Sequence, residues 1–318
     1  MTHLIFGVDG MNHDYTQKLI QAGDMPNLKQ LQNREKTEYG KFKSYVCEGY
    51  ETPHTGPCWT SIYTGLKPEE HGITSGGWND GDSEFHVMKT IWDQLDKDMY
   101  LYGMPMTYKA KPVNGKMVSG FISTTIKSLF ENCVYPDSLE DRLVDDFIEY
   151  TSSYVARVKT EGAKPDTNTE EFFTELSFAE NRRIRQFEET YDGEEIVAYG
   201  TTLVDKIGHV AGITEESKYA RQAYILLDML LGDLLNTLKP EKVTIISDHG
   251  FSEYSHDLHG YYLDTTGRGM DSIFDFTPYM EDIHGVENPE YGPTGEQNNL
   301  TESEVQDVKD QLNDLGYF

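Results

Sequence analysis

The stretch Thr244–Gly260 reads TIISDHGFSEYSHDLHG and joins an apolar run to a group of potential metal ligands. Asp248 and His249 directly follow the run, and His256 and His259 come shortly after them. The chain has 10 histidines in all, so their concentration in one short stretch calls for an explanation. The pattern indicates that a buried strand ends here and delivers its side chains to a site.

Two further apolar runs end in the same way, LIFGVD at Asp9 and EIVAYGTTLVD at Asp205. The runs are continuous rather than alternating, which is typical of strands buried on both faces of a parallel sheet. Helical patterns lie between them, at Met25–Arg34 and at Thr214–Leu238, where apolar residues follow the three/four spacing of one helix face. The alternation predicts an α/β fold with a mostly parallel, doubly wound sheet flanked by helices.

Ligands of such sheets bind at the carboxyl ends of the strands, so we expect the three strand-end aspartates to converge. A single aspartate after a strand more often begins a turn, but three of them favour a common site. Asp205 and His209 are four residues apart and would share one face of a short helix. Aspartate and histidine together suit zinc or manganese better than calcium or magnesium.

A hydroxyl group is the fourth element of the pattern. In ETPHTGPCWTSIYTGL, Thr55 stands just before a helical stretch, where backbone N–H donors and the positive end of the helix dipole gather. Near a metal ion the hydroxyl would lose its proton more readily and become a nucleophile. From these residues alone, a simple N-cap role for Thr55 stays open.

The amino-acid composition limits the classes of molecule that this protein is expected to bind. The formal net charge of −28 disfavours nucleic acids and anionic membranes, and one interpretation is a salt-adapted, halophilic cytoplasm. The first residues lack the basic segment of a signal peptide, and no apolar run is long enough to span a bilayer. The 3 cysteines show no paired spacing. We therefore expect a soluble, cytoplasmic protein without disulfides, whose oligomeric state the sequence leaves open.

The middle of the chain is charged and aromatic and lacks a strand pattern. We interpret approximately residues 124–190 as a helical cap insertion over the carboxyl edge of the sheet. The whole chain, residues 1–318, would then form a single domain.

Four ordered motifs resemble those of the alkaline phosphatase superfamily and, within it, of the type I phosphodiesterase/nucleotide pyrophosphatase family. They are VDGM (Val8–Met11), the segment Thr55–Ile73, TLVDKIGHVAG (Thr202–Gly212) and SDHGF (Ser247–Phe251). The resemblance covers most of the chain and implies an alkaline phosphatase-like fold with two divalent metal ions, zinc above all, with manganese as the alternative.

The resemblance also implies roles for individual residues. Thr55 matches the catalytic nucleophile. The ligands of one ion would be Asp9, Thr55, Asp248 and His249, and those of the other Asp205, His209 and either His256 or His259. Asn79 is an approximate match to an asparagine that binds a phosphoryl oxygen.

The function so implied is hydrolysis of phosphate diesters or pyrophosphates, with a small phosphate ester as substrate. Two alternatives stay open. A phosphomonoesterase of the same superfamily would need a nearby cation such as Lys109 or Lys206, and a non-catalytic scaffold would keep the metals without turnover.

Overall fold

The computed structural model describes residues 2–74, 84–120, 133–143 and 169–294. The strands in these ranges are β1 (His3–Val8), β2 (Glu38–Lys43), β3 (Met88–Lys89), β4 (Met99–Tyr102), β5 (Gly115–Val118), β6 (Val134–Tyr135), β7 (Ile196–Thr201), β8 (Lys242–Ile246), β9 (Gly250–Ser252), β10 (Ser255–Asp257), β11 (His259–Asp264) and β12 (Gly292–Pro293). The α-helices are α1 (His13–Ala22), α2 (Pro26–Gln32), α3 (Thr55–Thr64), α4 (Pro68–His71), α5 (Ile91–Gln94), α6 (Thr169–Thr190), α7 (Leu203–Ala211), α8 (Lys218–Leu238) and α9 (Phe276–His284). Short 3₁₀ helices span Glu84–Val87, Asp137–Arg142 and Ile273–Asp275.

A central sheet organises the described residues. Its order is β2-β11-β8-β1-β7-β4-β5-β6. The five inner strands from β8 to β5 run parallel, whereas β11 and β2 on one side and β6 on the other pair antiparallel. The three strands predicted to end at aspartates are therefore neighbours, with β1 between β8 and β7.

Helices cover both faces of this sheet, because successive side chains of a strand point to opposite faces. Leu4, Phe6 and Val8 of β1 pack with buried side chains of α1, α2, α6, α7 and α8. Ile5, between them, packs on the other face with side chains of α3, α5 and α9. The mostly parallel, doubly wound α/β fold is thereby confirmed.

The longest predicted helix begins later than its pattern indicated. It starts at Lys218 rather than Thr214, because the Ser217 side chain accepts the Ala220 N–H at 3.2 Å and caps the helix there. Its end at Leu238 is as predicted, since Lys239 adopts a left-handed conformation with φ 46°. The helix predicted at Met25–Arg34 is shorter and spans Pro26–Gln32.

The predicted cap insertion is described only in part, at residues 133–143 and in α6. α6 lies against the face of the sheet, where the Phe187 ring stacks on Tyr100 with centroids 5.3 Å apart. The remainder of approximately 124–190 lies outside the described residues, as does Asn79. None of the helices in the described ranges combines the length and apolarity that crossing a membrane requires.

A buried aspartate connects α2 to α8. The first turn of α2 has no capping side chain of its own. Instead, the Asp228 carboxylate on α8 accepts the backbone N–H of Asn27 at 3.0 Å and of Leu28 at 2.8 Å. Asp228 and Leu28 are almost fully buried, so water would not replace the carboxylate at the Leu28 N–H.

We expect Asp228→Ala to lower the free energy of unfolding by about 2–3 kcal/mol, because it leaves buried donors unpaired. Asp233→Ala, on the exposed side of the same helix, should change it by less than about 0.5 kcal/mol. Urea denaturation followed by circular dichroism measures both. Equal destabilisation by the two variants would contradict the capping role.

Candidate metal centre

Three aspartates meet at the carboxyl edge of the sheet. Asp9 follows β1 directly, Asp248 comes two residues after β8, and Asp205 lies in the first turn of α7, just after β7. Gly10 makes this approach achievable: it has φ +75°, and a Cβ there would lie 3.0 Å from the Asp205 Cα. A larger residue would push α7 away from β1.

The first cluster surrounds the Thr55 hydroxyl. Thr55 Oγ1 lies 3.4 Å from Asp9 Oδ1 and 3.3 Å from His249 Nε2. His249 Nε2 in turn lies 3.4 Å from Asp9 Oδ1 and 3.2 Å from Asp248 Oδ2. His249 Nδ1 donates to the Gly250 carbonyl at 2.9 Å, which leaves the lone pair of Nε2 facing the carboxylates.

The second cluster contains Asp205, His209 and His256. Asp205 and His209 lie one turn apart on α7, as their spacing predicted, with His209 Nε2 3.5 Å from Asp205 Oδ1. His256 Nε2 lies 3.2 Å from the same oxygen and 3.2 Å from His209 Nε2. His256 Nδ1 donates to the Pro53 carbonyl at 2.7 Å, and this contact orients the ring so that Nε2 faces Asp205 and His209.

A hairpin brings His256 to this position. β9 and β10 pair so that His256 lies opposite Phe251, and backbone bonds between Ile213 and Glu253 tie the hairpin to the end of α7. Gly208 permits the close contact, since a Cβ there would lie 2.7 Å from the Phe251 ring. The hairpin and α7 thus form one packed unit that holds His256 beside His209.

His259 lies elsewhere. It begins β11, opposite Lys43 of β2, and its side chain is 42% exposed. Its Nδ1 is 3.7 Å from Asp257, and His259 belongs to neither group of ligand-capable side chains found among the described residues. Of the two histidines left open by the sequence, the structure brings His256 to the cluster and leaves His259 outside it.

The two clusters are suited to bind cations. Ligand-capable atoms of Asp205, His209 and His256 lie within 4.8 Å of one another, and so do those of Asp9, Asp205 and His249. One buried oxygen of each aspartate (Asp9 Oδ2, Asp205 Oδ1 and Asp248 Oδ2) has no hydrogen-bond partner. Buried carboxylate oxygens and imidazole nitrogens that face one another match the ligands of a borderline divalent metal.

Shifts in the pKa values of the buried side chains also indicate that the centre needs positive charge. Burial, and then the negative charges of Asp248 and Asp205, raise the pKa of Asp9 well above its usual value. Burial would also raise the pKa of Asp205, but the imidazoles of His209 and His256 outweigh it and hold that pKa below normal. Burial, with the neighbouring His256, lowers the pKa of His249 to about 3, which keeps its ring neutral.

Two contacts of this centre were not foreseen. The Pro53 carbonyl that orients His256 is a backbone group and has no signature in the sequence. The second contact involves His54, next to the nucleophile candidate, whose ring lies 6.1 Å from that of His256, centroid to centroid.

Comparisons with known proteins identify the family and support the fold. The model of the family "type I phosphodiesterase/nucleotide pyrophosphatase" matches residues 3–314. The alkaline phosphatase from the Antarctic bacterium TAB5 is 12% identical, with a TM-score of 0.52 over 89% of this chain and 98% of its own, which supports an alkaline phosphatase-like fold.

A second solved structure is similar to this chain, the phosphonoacetate hydrolase from Sinorhizobium meliloti 1021 in complex with phosphonoformate. It is 18% identical, with a TM-score of 0.46 over 79% of this chain. This chain spans only 56% of that hydrolase. No curated protein matches the sequence.

Removal of one buried charge should stabilise the metal-free protein. We expect Asp248→Asn to raise the melting temperature of chelator-treated protein, because it relieves repulsion between buried carboxylates. The same change should reduce the rise in melting temperature on addition of Zn²⁺, since ligand binding stabilises only the folded state. Differential scanning calorimetry with and without metal measures both. A lower metal-free melting temperature, with an unchanged response to Zn²⁺, would contradict this interpretation.

The two histidines provide a matched pair. We expect His256→Ala to reduce the bound metal by about one ion per chain, because it removes an imidazole ligand of the second cluster. His259→Ala should leave the metal content unchanged. Elemental analysis after dialysis against Zn²⁺ measures the stoichiometry, and the opposite result for the pair would assign the ligand to His259.

Proposed function

Because the chain belongs to the type I phosphodiesterase/nucleotide pyrophosphatase family, whose members are phosphoester hydrolases, we propose that it hydrolyses phosphate diesters or pyrophosphates with Thr55 as the nucleophile and two divalent metal ions as cofactors. The substrate would be a small phosphate ester rather than a nucleic acid, since a chain of net charge −28 repels polyanions.

The position of the Thr55 hydroxyl is the observation that carries this proposal. Thr55 is the first residue of α3, and all residues of this helix are buried. The preceding residue, His54, makes no side-chain cap, so no capping side chain occupies the N–H groups of Thr55 and Gly56 at the start of α3. A nucleophile, amide donors and a ligand cluster therefore converge where a phosphoryl group would bind.

Two ligand sets would hold the ions. For one ion we propose Asp9, Thr55, Asp248 and His249, and for the other Asp205, His209 and His256. His256 is preferred to His259 because its Nε2 points at Asp205, whereas His259 is exposed on β11. When bound, the ions would neutralise charge on the phosphoryl group and favour the alkoxide form of the hydroxyl. Asp–His ligation favours Zn²⁺, with Mn²⁺ as the alternative.

The protein's own groups would carry the reaction in two steps. Thr55 Oγ1, oriented by Asp9 and His249, forms a bond to phosphorus while the ester bond to the leaving group breaks. The resulting phosphothreonine is then hydrolysed by water, which breaks the bond between Oγ1 and phosphorus. Each in-line displacement inverts the phosphorus centre, so the net outcome is retention. From the family resemblance, we also propose that Asn79 binds a phosphoryl oxygen.

One observation favours the alternative of a phosphomonoesterase. Lys206 follows Asp205 on α7, and burial lowers its pKa to about 8 against the opposing charges of Glu180, Asp205 and Asp9. A cation at this place could offset the extra charge of a monoester. A metal-binding scaffold without turnover is the third candidate, and Thr55 is the residue that such a scaffold would not need.

Substitution of the nucleophile tests these candidates together. We expect Thr55→Ala to lower turnover of bis(p-nitrophenyl) phosphate on the order of 10³-fold or more. Metal content should stay nearly unchanged, because three of the four proposed ligands of that ion remain. Thr55→Ser should retain measurable turnover because it keeps the hydroxyl. Release of p-nitrophenol by Zn²⁺- or Mn²⁺-loaded protein measures both rates.

The control is Thr64→Ala, at the far end of the same helix, whose hydroxyl donates to the Thr60 carbonyl at 2.8 Å and accepts the Leu66 N–H at 3.2 Å. It should turn over like the wild type. Faster cleavage of p-nitrophenyl phosphate than of the diester would favour the monoesterase. Wild-type activity in Thr55→Ala would exclude the nucleophile assignment.

A further inference from the structure

We propose that Ser247 is a positioning residue whose hydroxyl holds the Asp9 turn and the Asp248–His249 turn at the separation that the first ion requires. The inference rests on the proposed function, because it concerns one of the two ligand sets proposed there. Ser247 is not itself one of those ligands. Its assigned role is to fix where they lie.

The two turns follow adjacent parallel strands. β1 and β8 are paired in register as far as Gly7 and Ile246. The backbone ladder between these strands therefore ends before the chain reaches Asp9 on one side and Asp248 on the other. Contacts within the turns themselves must then set the distance between the two carboxylates.

The Ser247 hydroxyl bonds to both turns. It accepts the Met11 N–H at 2.9 Å, two residues after Asp9, and it donates its own proton to the His249 carbonyl at 2.6 Å. Both bonds are buried, and the Ser247 side chain has no exposed surface. One hydroxyl thus joins the segment that carries the first aspartate to a residue that is itself a proposed ligand.

The backbone of the Asp9–Asn12 turn is held from several sides. Its successive N–H groups donate to the Thr201 carbonyl at 3.0 Å, Asp248 Oδ1 at 3.4 Å, Ser247 Oγ at 2.9 Å and the Tyr224 hydroxyl at 2.9 Å. Of the two bonds that reach the second turn, the one to Ser247 is the shorter, and its acceptor is not a metal ligand. Ser247 can therefore hold the turn whether or not an ion occupies the carboxylate.

Such a link matters because the carboxylates on the two turns repel each other. After burial, the negative charge of Asp248 is the largest cause of the raised pKa of Asp9. When both are ionised and no ion is present, this repulsion favours movement of the turns away from each other. Hydrogen bonds that oppose the movement keep the ligand atoms close to the geometry of the bound state, so less reorganisation accompanies binding.

A buried hydroxyl can also serve the fold alone, by satisfying backbone or side-chain groups. Thr244 is such a residue on β8. It is fully buried, and its hydroxyl lies 2.7 Å from His3 Nε2 and 2.7 Å from the Tyr279 hydroxyl. Ser247 makes a similar pair of buried bonds but connects turns that carry proposed ligands. The two residues therefore separate a positioning role from a purely structural one.

Metal affinity measures this role without any turnover. Titration of metal-free, full-length protein with Zn²⁺ in competition with a chromophoric chelator gives the dissociation constant of each ion. We expect Ser247→Ala to weaken one ion about 10–100-fold, the range typical when a group that orients metal ligands is lost. The other ion should change by less than about threefold. Ser247→Thr keeps the hydroxyl and should bind both ions like wild type.

A double variant assigns the weakened ion. His256→Ala is expected to lack the second ion, so its remaining ion is the one that Ser247 should affect. Addition of Ser247→Ala to His256→Ala should weaken that remaining ion by the same factor as in the single variant. An unchanged affinity in the double variant would contradict the positioning role.

The matched control is Thr244→Val, which removes a buried hydroxyl and keeps the shape of the side chain. Urea unfolding of the metal-free variants should give a lower midpoint for both Thr244→Val and Ser247→Ala. Thr244→Val should nevertheless bind both ions like wild type. If the methyl group of Ser247→Thr prevents folding, the comparison of Ser247→Ala with Thr244→Val decides. Unchanged affinity in Ser247→Ala, equal weakening of both ions, or the same loss in Thr244→Val would overturn the inference.

The wild type keeps the two proposals apart. Two bound Zn²⁺ ions without turnover of bis(p-nitrophenyl) phosphate would count against the proposed hydrolysis alone. Turnover by the wild type, with unchanged Zn²⁺ affinity in Ser247→Ala, would remove only the role of Ser247. A wild type that binds neither Zn²⁺ nor Mn²⁺ would overturn both.

Discussion

Mutual repulsion of three carboxylates is the constraint on which the centre depends. Asp9 and Asp248 are fully buried and Asp205 largely so, and each has an oxygen without a hydrogen-bond partner. Folding brings these charges together out of water, which is unfavourable unless cations offset it. Packing of the sheet and its two helical layers must therefore offset the destabilisation that the centre causes, as is common where function opposes stability.

Much of the fold followed from local sequence patterns. Continuous apolar runs ending at Asp9, Asp205 and Asp248 indicated buried parallel strands, because only strands covered on both faces lack alternation. The same inference predicted that the three aspartates lie close together, because parallel strands end at the same edge of the sheet. The spacing of Asp205 and His209 was equally informative, because a separation of four residues places both side chains on one face of a helix.

Other features depend on contacts between distant parts of the chain, which no local pattern reveals. His256 and His259 are three residues apart, yet they fall on different strands, β10 and β11, and only the pairing of β10 with β9 turns His256 toward Asp205. The start of α8 was misplaced because Thr214 and Ser217 are both good N-cap residues. Tertiary packing decided each case.

The adjacency of β8, β1 and β7 also has a consequence for synthesis. Their aspartates are neighbours in space but span most of the chain, from Asp9 to Asp248, and His256 comes later still. A nascent chain on the ribosome therefore carries Thr55 long before it carries the groups that surround it. Since contacts of such separation form late, the emerging polypeptide cannot capture cations at this centre until nearly all of the sheet has been made.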